Sequence, residues 1–484
     1  MPDFETDRGA RPKVTRSRHR REVFYVALFG GGLLLVWSYV FLSTYHYPFY
    51  WDDYHLIRPY SFSELLSTLH ARSDPAKLET PAFRPLATFL FAIEGSIFGE
   101  NIVFQRIFVA GLMEILLFVL GLFLLELRLG FFQIGIVFVL FVFSRVFASL
   151  IMWVSLGSLI LCYIFMVLAA YFFLIWMKRR RLLHVLLLFM CTAGAALIRE
   201  EAYVLPVALS LLWSMSPRPW RTWRYSLVAV LGVLTIAAVH FALRSILVPE
   251  AHLDPNLAFT VGKLKMLLIS IGSSWLPGGL STIGLADSLL AALWIGFLIG
   301  LAVMVALWGG TRSRWRVVGT CFLSCVLASP ALGAPRAFGI AMPTLACMTA
   351  IAIVIAEVWR QTGSAKHVHR WRHYAFVGYV IIGLAVGLAG GIRRSMYVAE
   401  YLHPNCIPRI AEDAVLIFNL RERYVPVPEE RTEAGRTRLR ALGLYNVPDL
   451  EGLYHDSEEH PERYERNRQT RQAAFLPKYA YLSF

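Results

Sequence analysis

Charged residues are scarce in this chain. Asp, Glu, Lys and Arg make up only 17% of its 484 residues, hydrophobic residues make up 57%, and the mean hydropathy is +0.55. A soluble domain usually carries about 25% charged residues, so the composition excludes an ordinary soluble protein. The chain instead contains repeated apolar stretches of about 20 residues, the length that crosses a bilayer core as a helix. We therefore expect an all-α polytopic membrane protein.

Several common motifs are also missing. Six cysteines are present, but five of them lie inside apolar runs and no CxxC pair occurs, so neither a disulfide framework nor a CxxC metal site is indicated. No GxGxxG or P-loop pattern occurs, and no loop predicted to be cytoplasmic is long enough for a nucleotide-binding domain. These absences argue against a nucleotide-linked substrate.

The net charge of +14 would suit a nucleic-acid partner, but the placement of the basic residues argues against one. They gather in short clusters, each directly beside an apolar run. Positive charge at such places is typical of cytoplasmic loops. We interpret the clusters as topology signals and expect no nucleic-acid partner. The clusters are residues 11–21, 178–181, 216–224, 311–316 and 366–373.

These clusters orient the predicted spans. A basic tail at 1–22 is expected inside, and a first span at about 23–44 leads to a long outer loop at 45–100. The stretch 263–287 is interpreted as interfacial or re-entrant, because a full span there would place the basic cluster at 311–316 outside. The polar region 392–484 is expected outside, as a small α or α+β appendage. Ten further spans, which give about eleven in total, are predicted at 101–127, 131–150, 151–177, 182–198, 202–215, 225–248, 288–308, 317–333, 338–358 and 374–391.

A charged segment, WDDYHLIRPY, follows the first span at residues 51–60. A carboxylate such as Asp52 or Asp53 can accept the proton of an attacking hydroxyl group. Adjacent carboxylates can also hold Mg²⁺ or Mn²⁺, but no DxD pattern occurs in the loop and we assign no metal. The alternative is structural: aspartates cap helices well, and His55 would then belong to the interfacial belt.

Other ionisable residues are predicted at the same outer face. An ionisable group at membrane depth costs about 2.5–3.5 kcal/mol by insertion scales, so several that converge indicate a polar cavity, although each could also extend to the interface. Guanidinium groups match phosphate oxygens and stabilise a departing phosphate. The pattern indicates attack by a hydroxyl group on a sugar linked to a lipid phosphate. These residues are Arg84, Arg145, Arg199, Glu200, Glu201, His240, Arg244 and Arg336.

The order of these motifs resembles that of the GT-C membrane glycosyltransferases, which include protein O-mannosyltransferases and the aminoarabinose transferase of lipid A. The resemblance covers about residues 23–391. Two positions depart from the family pattern, since Glu114 stands near a frequent histidine of the second span and Arg145 stands where a His-Pro pair is frequent. The matched elements are WDD at 51–53, FRPL at 83–86, FGEN at 98–101, IMWVSLGS at 151–158, the Arg199-Glu200 pair and RAFGIAMP at 336–343.

The resemblance implies an inverting enzyme in the bacterial inner (plasma) membrane, with its active site on the extracytoplasmic side. It would move a sugar from a polyprenyl-phosphate donor to a hydroxyl group of a glycan, lipid or protein. Asp52 or Asp53 would be the catalytic base, and Arg84 would contact the lipid phosphate. Arg199 and Arg336 would be further candidates for this contact. The full set of residues that we expect to bind the substrate is Arg84, Arg199, Glu200, Arg336, His55 and Arg145.

Two other classes of membrane protein stay open. A transporter or flippase for a lipid-linked sugar would also have many spans and buried arginines, together with a midplane site, broken helices and internal repeats. A glycan polymerase or ligase of another fold would place its key arginines in a large late outer loop. The charges predicted here crowd one face and begin after the first span, which favours the transferase.

Overall fold

The computed structural model describes residues 16–46, 53–71, 73, 82–99, 101–215, 222–249, 268, 271, 274–275, 285–308, 311–328, 341–363 and 370–401. Every regular element within these residues is helical. Short 3₁₀ turns lie at Leu42–His46, Val154–Leu156 and Glu200–Val204. The α-helices are α1 (Arg16–Val40), α2 (Asp53–Leu56), α3 (Phe62–Ser67), α4 (Pro85–Phe98), α5 (Ile102–Glu126), α6 (Phe131–Val142), α7 (Arg145–Met152), α8 (Gly157–Arg179), α9 (Leu182–Ile198), α10 (Leu205–Ser214), α11 (Trp223–Leu247), α12 (Leu285–Trp308), α13 (Thr311–Leu327), α14 (Ala341–Gly363) and α15 (Arg370–Tyr401).

Seven of the described helices are long and apolar enough to cross a membrane, and this confirms a polytopic helical membrane protein. They lie in α1, α5, α8, α11, α12, α14 and α15. Helices α6 and α7 pass the same test only as a pair, which is bent by 62°. Three other predicted spans correspond to shorter helices, namely α9 with 17 residues, α10 with 10 and α13 with 17. The total of about eleven spans stays a prediction.

Helix α8 forms the centre of the bundle. It packs against α5 and α9, and 67% of its most apolar window is buried inside the protein, compared with 22% for α1, α11 and α12. Helix α14 is similarly enclosed, at 78%, and packs against α6 and α13. A helix surrounded by other helices must be apolar on every side. The run from Gly157 to Met177 contains no charged residue, which agrees with this position.

A break between α6 and α7 sets the start of α8. Ser144 caps α7, because its side-chain oxygen accepts a hydrogen bond of 3.3 Å from the backbone N–H of Phe147, as serine commonly does at a helix N-terminus. The chain then turns through α7 and the 3₁₀ turn Val154–Leu156 before α8 begins. This route brings the backbone amide of Ser155 to the N-terminal end of α8.

Helix α4 lies very close to the segment that follows the first span. A Cβ atom at Gly95 would stand 2.3 Å from the carbonyl carbon of Arg58, so the approach requires glycine. Helix α4 begins at Pro85, a residue suited to the first turn of a helix. The contact holds the described part of WDDYHLIRPY against α4.

We expect Gly95→Ala to lower the thermal stability of the protein. Alanine usually stabilises a helix interior relative to glycine by about 0.5–1 kcal/mol, but here the added methyl group would overlap the backbone of Arg58. The matched control is Gly111→Ala in α5, where nothing lies within 4 Å of the added Cβ. Thermal unfolding of both variants in detergent measures the difference. A melting temperature for Gly95→Ala equal to that of the control would contradict this packing.

Parts of the sequence predictions fall outside the described residues. They include Asp52, Arg336, most of 263–287 and the C-terminal region from 402 onward, which all remain predictions. The last span was predicted to end at 391, but α15 continues to Tyr401. Arg394 and Ser395 are buried, so the packed part of the chain extends beyond the predicted boundary.

Candidate active site

Asp53 is the carboxylate of the WDD segment that the structure describes. It begins α2 and is fully buried, and its Oδ1 accepts a hydrogen bond of 2.7 Å from the backbone N–H of Ser155. The carboxylate therefore lies at the N-terminal end of a 23-residue helix, α8, where the partial positive charge favours its ionised form. The contact joins the WDD and WVS segments, which are 102 residues apart, and so goes beyond a local helix cap.

Glu94 is a second buried carboxyl group at this end of α8, and it lies outside the motifs named above. It lies on α4 with no exposed surface, and neither of its carboxyl oxygens accepts a hydrogen bond from the described residues. Burial raises the pKa of Glu94 well above its ordinary value, and the charge of Asp53 raises this pKa further. The signal that could have found it is a glutamate inside an apolar helical run, ATFLFAIEGSIF.

Arg84 and Glu200 form an ion pair between two distant segments. The Nε of Arg84 donates to Oε2 of Glu200 at 2.8 Å, and its Nη2 lies 2.7 Å from the same oxygen. The Nε of Arg244 on α11 lies 3.5 Å from the other oxygen. Burial would raise the pKa of Glu200, but the charges of Arg84 and Arg244 outweigh it and lower this pKa to about 2. Glu200 is therefore ionised at neutral pH.

Other side chains complete a polar cluster around the Glu200–Val204 turn. Nη1 of Arg199 lies 3.6 Å from Oε1 of Glu201. The hydroxyl group of Tyr203 lies 2.7 Å from Nδ1 of His240. His240 and Arg244 are one turn apart on α11, and both reach this turn. We call this set the arginine cluster: Arg84, Arg199, Glu200, Glu201, Tyr203, His240 and Arg244.

The other predicted residues lie outside these two groups, and the structure describes only some of them. Arg145 begins α7 and is buried, and α7 packs against α15. His55 lies in α2, but its side chain is outside the described part of the structure, as are the whole of Asp52 and Arg336. Glu114 lies in the interior of α5 and faces α1, where its Oε1 is 3.5 Å from the position of a Cβ on Gly31.

The Asp53 site and the arginine cluster lie towards the same end of α8. Asp53 bonds to Ser155, directly before α8. Cys162, in the second turn of α8, donates to the carbonyl oxygen of Ala195, one turn before Arg199. The opposite end of α8 carries an ion pair of 2.5 Å between Lys178 and Glu126. A 23-residue helix rises about 34 Å, which is close to the thickness of a bilayer core.

An apolar cavity of about 490 Å³ lies among α5, α8, α10, α13 and α14. Leu205 lines one part of it, directly after the Glu200–Val204 turn, and Lys178 and Arg128 line another part at the far end of α8. Most of the other lining residues are leucine, methionine, alanine and valine. The volume is within the range of small-molecule binding sites, and the lining suits an apolar chain.

No protein-family model matches this chain, and no curated protein or solved structure matches it. Within the described residues, no group of three or more His, Cys, Asp or Glu side chains could hold a metal ion. Mg²⁺ or Mn²⁺ at Asp52 and Asp53 stays an alternative, because Asp52 is outside the described residues. The function is therefore argued from the site itself.

Proposed function

We propose that the protein is an inverting membrane glycosyltransferase of the GT-C type. It moves a sugar from a polyprenyl-phosphate donor to a hydroxyl acceptor on the extracytoplasmic side of the bacterial inner membrane. The observation that carries the proposal is the buried carboxylate of Asp53, held by the Ser155 amide towards the end of the bundle that bears the arginine cluster. The reaction needs a base for the hydroxyl proton and cations for the departing phosphate, and both groups are present.

In the proposed reaction Asp53 accepts the proton of the acceptor hydroxyl group. The hydroxyl oxygen forms a bond to the anomeric carbon while the bond from that carbon to the phosphate oxygen breaks. The phosphate leaves with the electron pair, and its additional negative charge is stabilised by Arg84 and Arg244. A single displacement of this kind inverts the anomeric centre and needs no covalent intermediate.

Glu200 orients the two arginines before the donor binds. It contacts Arg84 through one oxygen and Arg244 through the other, so both guanidinium groups are directed towards one place. The three arginines of the cluster exceed its two glutamates by one charge. One net positive charge complements the single negative charge of a lipid phosphodiester, which favours a monophosphate-linked donor.

The apolar cavity and the charge distribution support the rest of the proposal. The cavity is lined mainly by apolar side chains and extends from Leu205, directly after the Glu200–Val204 turn, to Lys178 at the far end of α8. Such a lining suits part of an isoprenoid chain. The basic residues 178–181 lie at the opposite end of α8. Basic clusters beside a span are typical of the cytoplasmic side. The site is therefore proposed to face away from the cytoplasm.

The test is a transfer assay with purified protein in detergent or liposomes. Radiolabelled polyprenyl-phosphate sugars would be supplied one at a time with a crude membrane fraction as the acceptor. Label that moves from the lipid to an acceptor supports the proposal and identifies the sugar. Movement of the labelled lipid across liposome membranes without any transfer would contradict it and favour a flippase.

A further inference from the structure

Two glycines and two apolar side chains of α5 define the space around Glu94. Gly95 allows α4 to touch the backbone of Arg58, and Gly157 leaves space on α8, since a Cβ there would stand 3.2 Å from Oε1 of Glu94. Val109 and Leu112 of α5 border the same space. Glu94 thus lies against an apolar wall beside Gly157, two residues after the Ser155 amide that binds Asp53.

The two buried carboxyl groups differ in their hydrogen bonds. Oδ1 of Asp53 accepts the Ser155 N–H, whereas both oxygens of Glu94 lack a donor among the described residues. An ionised carboxylate buried without hydrogen-bond donors is strongly unfavourable. Two neighbouring carboxyl groups also resist ionising together. The negative charge is therefore favoured on Asp53 and the proton on Glu94.

We propose that Asp53 and Glu94 act as a pair that carries one negative charge and one proton, in which protonated Glu94 is a positioning residue for Asp53. This inference rests on the proposed transferase function for its catalytic meaning. A neutral Glu94 does not repel the phosphate of the donor, as a second carboxylate would. It also keeps a polar O–H group beside Asp53, which limits the orientations open to the base.

The protonation state can be measured without any activity assay. Infrared spectra of the whole protein at neutral pH would be compared between wild type and Glu94→Gln. We expect the variant to lose the C=O stretching band of one protonated carboxylic acid. The matched control is Glu64→Gln, because Glu64 accepts a hydrogen bond of 2.8 Å from Arg58; burial would raise its pKa, but this hydrogen bond and that of Ser61 lower it. The control should lose no such band.

Kinetics would then test the positioning role. Glu94→Leu removes the polar group at similar volume and is expected to lower kcat about tenfold, the size of one lost hydrogen bond. Glu94→Gln keeps a neutral polar group and should be impaired several-fold less than Glu94→Leu. An unchanged protonated-acid band in Glu94→Gln would overturn the pair, whether or not transfer is detected. A loss of activity in Glu94→Gln as large as that in Asp53→Asn would overturn the neutral role of Glu94.

Discussion

Asp53→Asn is expected to lower the transfer rate at least about 100-fold, the lower end of what a general base contributes. The side-chain amide of asparagine cannot take up the proton of the attacking hydroxyl group at neutral pH. Its oxygen can still accept the hydrogen bond from Ser155 N–H, so the contact between α2 and the start of α8 is kept. The measurement is transfer of radiolabel at saturating donor, with the melting temperature recorded for the same preparation.

Two controls make this result specific. Glu64→Gln changes a carboxylate in the same segment after the first span, whose partner is Arg58, and it should keep transfer activity. Asp52→Asn changes the neighbouring aspartate and shows whether both members of the WDD pair are needed. Full activity in Asp53→Asn with a normal melting temperature would refute Asp53 as the base and leave its contact with Ser155 as a structural one.

The membrane class could be predicted from the sequence because it depends on local properties of the chain. Apolar runs of sufficient length give helices such as α5 and α8 at the expected positions. The basic run at 178–181 lies at the far end of α8 from Asp53, as the charge pattern indicates. Boundaries were less accurate, because they depend on packing: α6 breaks at Ser144 and α15 continues past 391 through buried Arg394.

The details of the site depend on contacts between distant segments, which a single sequence does not reveal. The motifs WDD and WVS were both noted, but the hydrogen bond between Asp53 and Ser155 was not predictable from either. Glu94 was not singled out because its importance comes from its lack of partners and from the space left by Gly157. The arginines were expected to meet a phosphate, whereas the structure shows that Arg84 is also held by Glu200.

The ion pair between Arg84 and Glu200 leads to the second large expected effect. Arg84→Met should lower kcat/KM for the donor at least about 100-fold, since it removes a guanidinium group proposed to stabilise the leaving phosphate. It should also lower the melting temperature by a few degrees, because Glu200 would keep a largely buried charge with only Arg244 beside it. The pKa of Glu200 is lowered to about 2. The stabilisation that ionised Glu200 gives to the folded protein is therefore complete above the ordinary pKa of a glutamate, and it is lost only as the pH falls towards 2. The stability difference should therefore be the same at pH 7 and pH 6.

The double variant Arg84→Met/Glu200→Gln separates the two roles of Arg84. Removing both members of an ion pair avoids the unpaired charge, so the melting temperature should recover relative to Arg84→Met. Transfer should stay as low as in the single variant, because the cation that faces the phosphate is still absent. Recovery of both stability and transfer in the double variant would mean that Arg84 serves only to neutralise Glu200. The phosphate would then have to be bound by another group, such as Arg244, which contacts the other oxygen of Glu200.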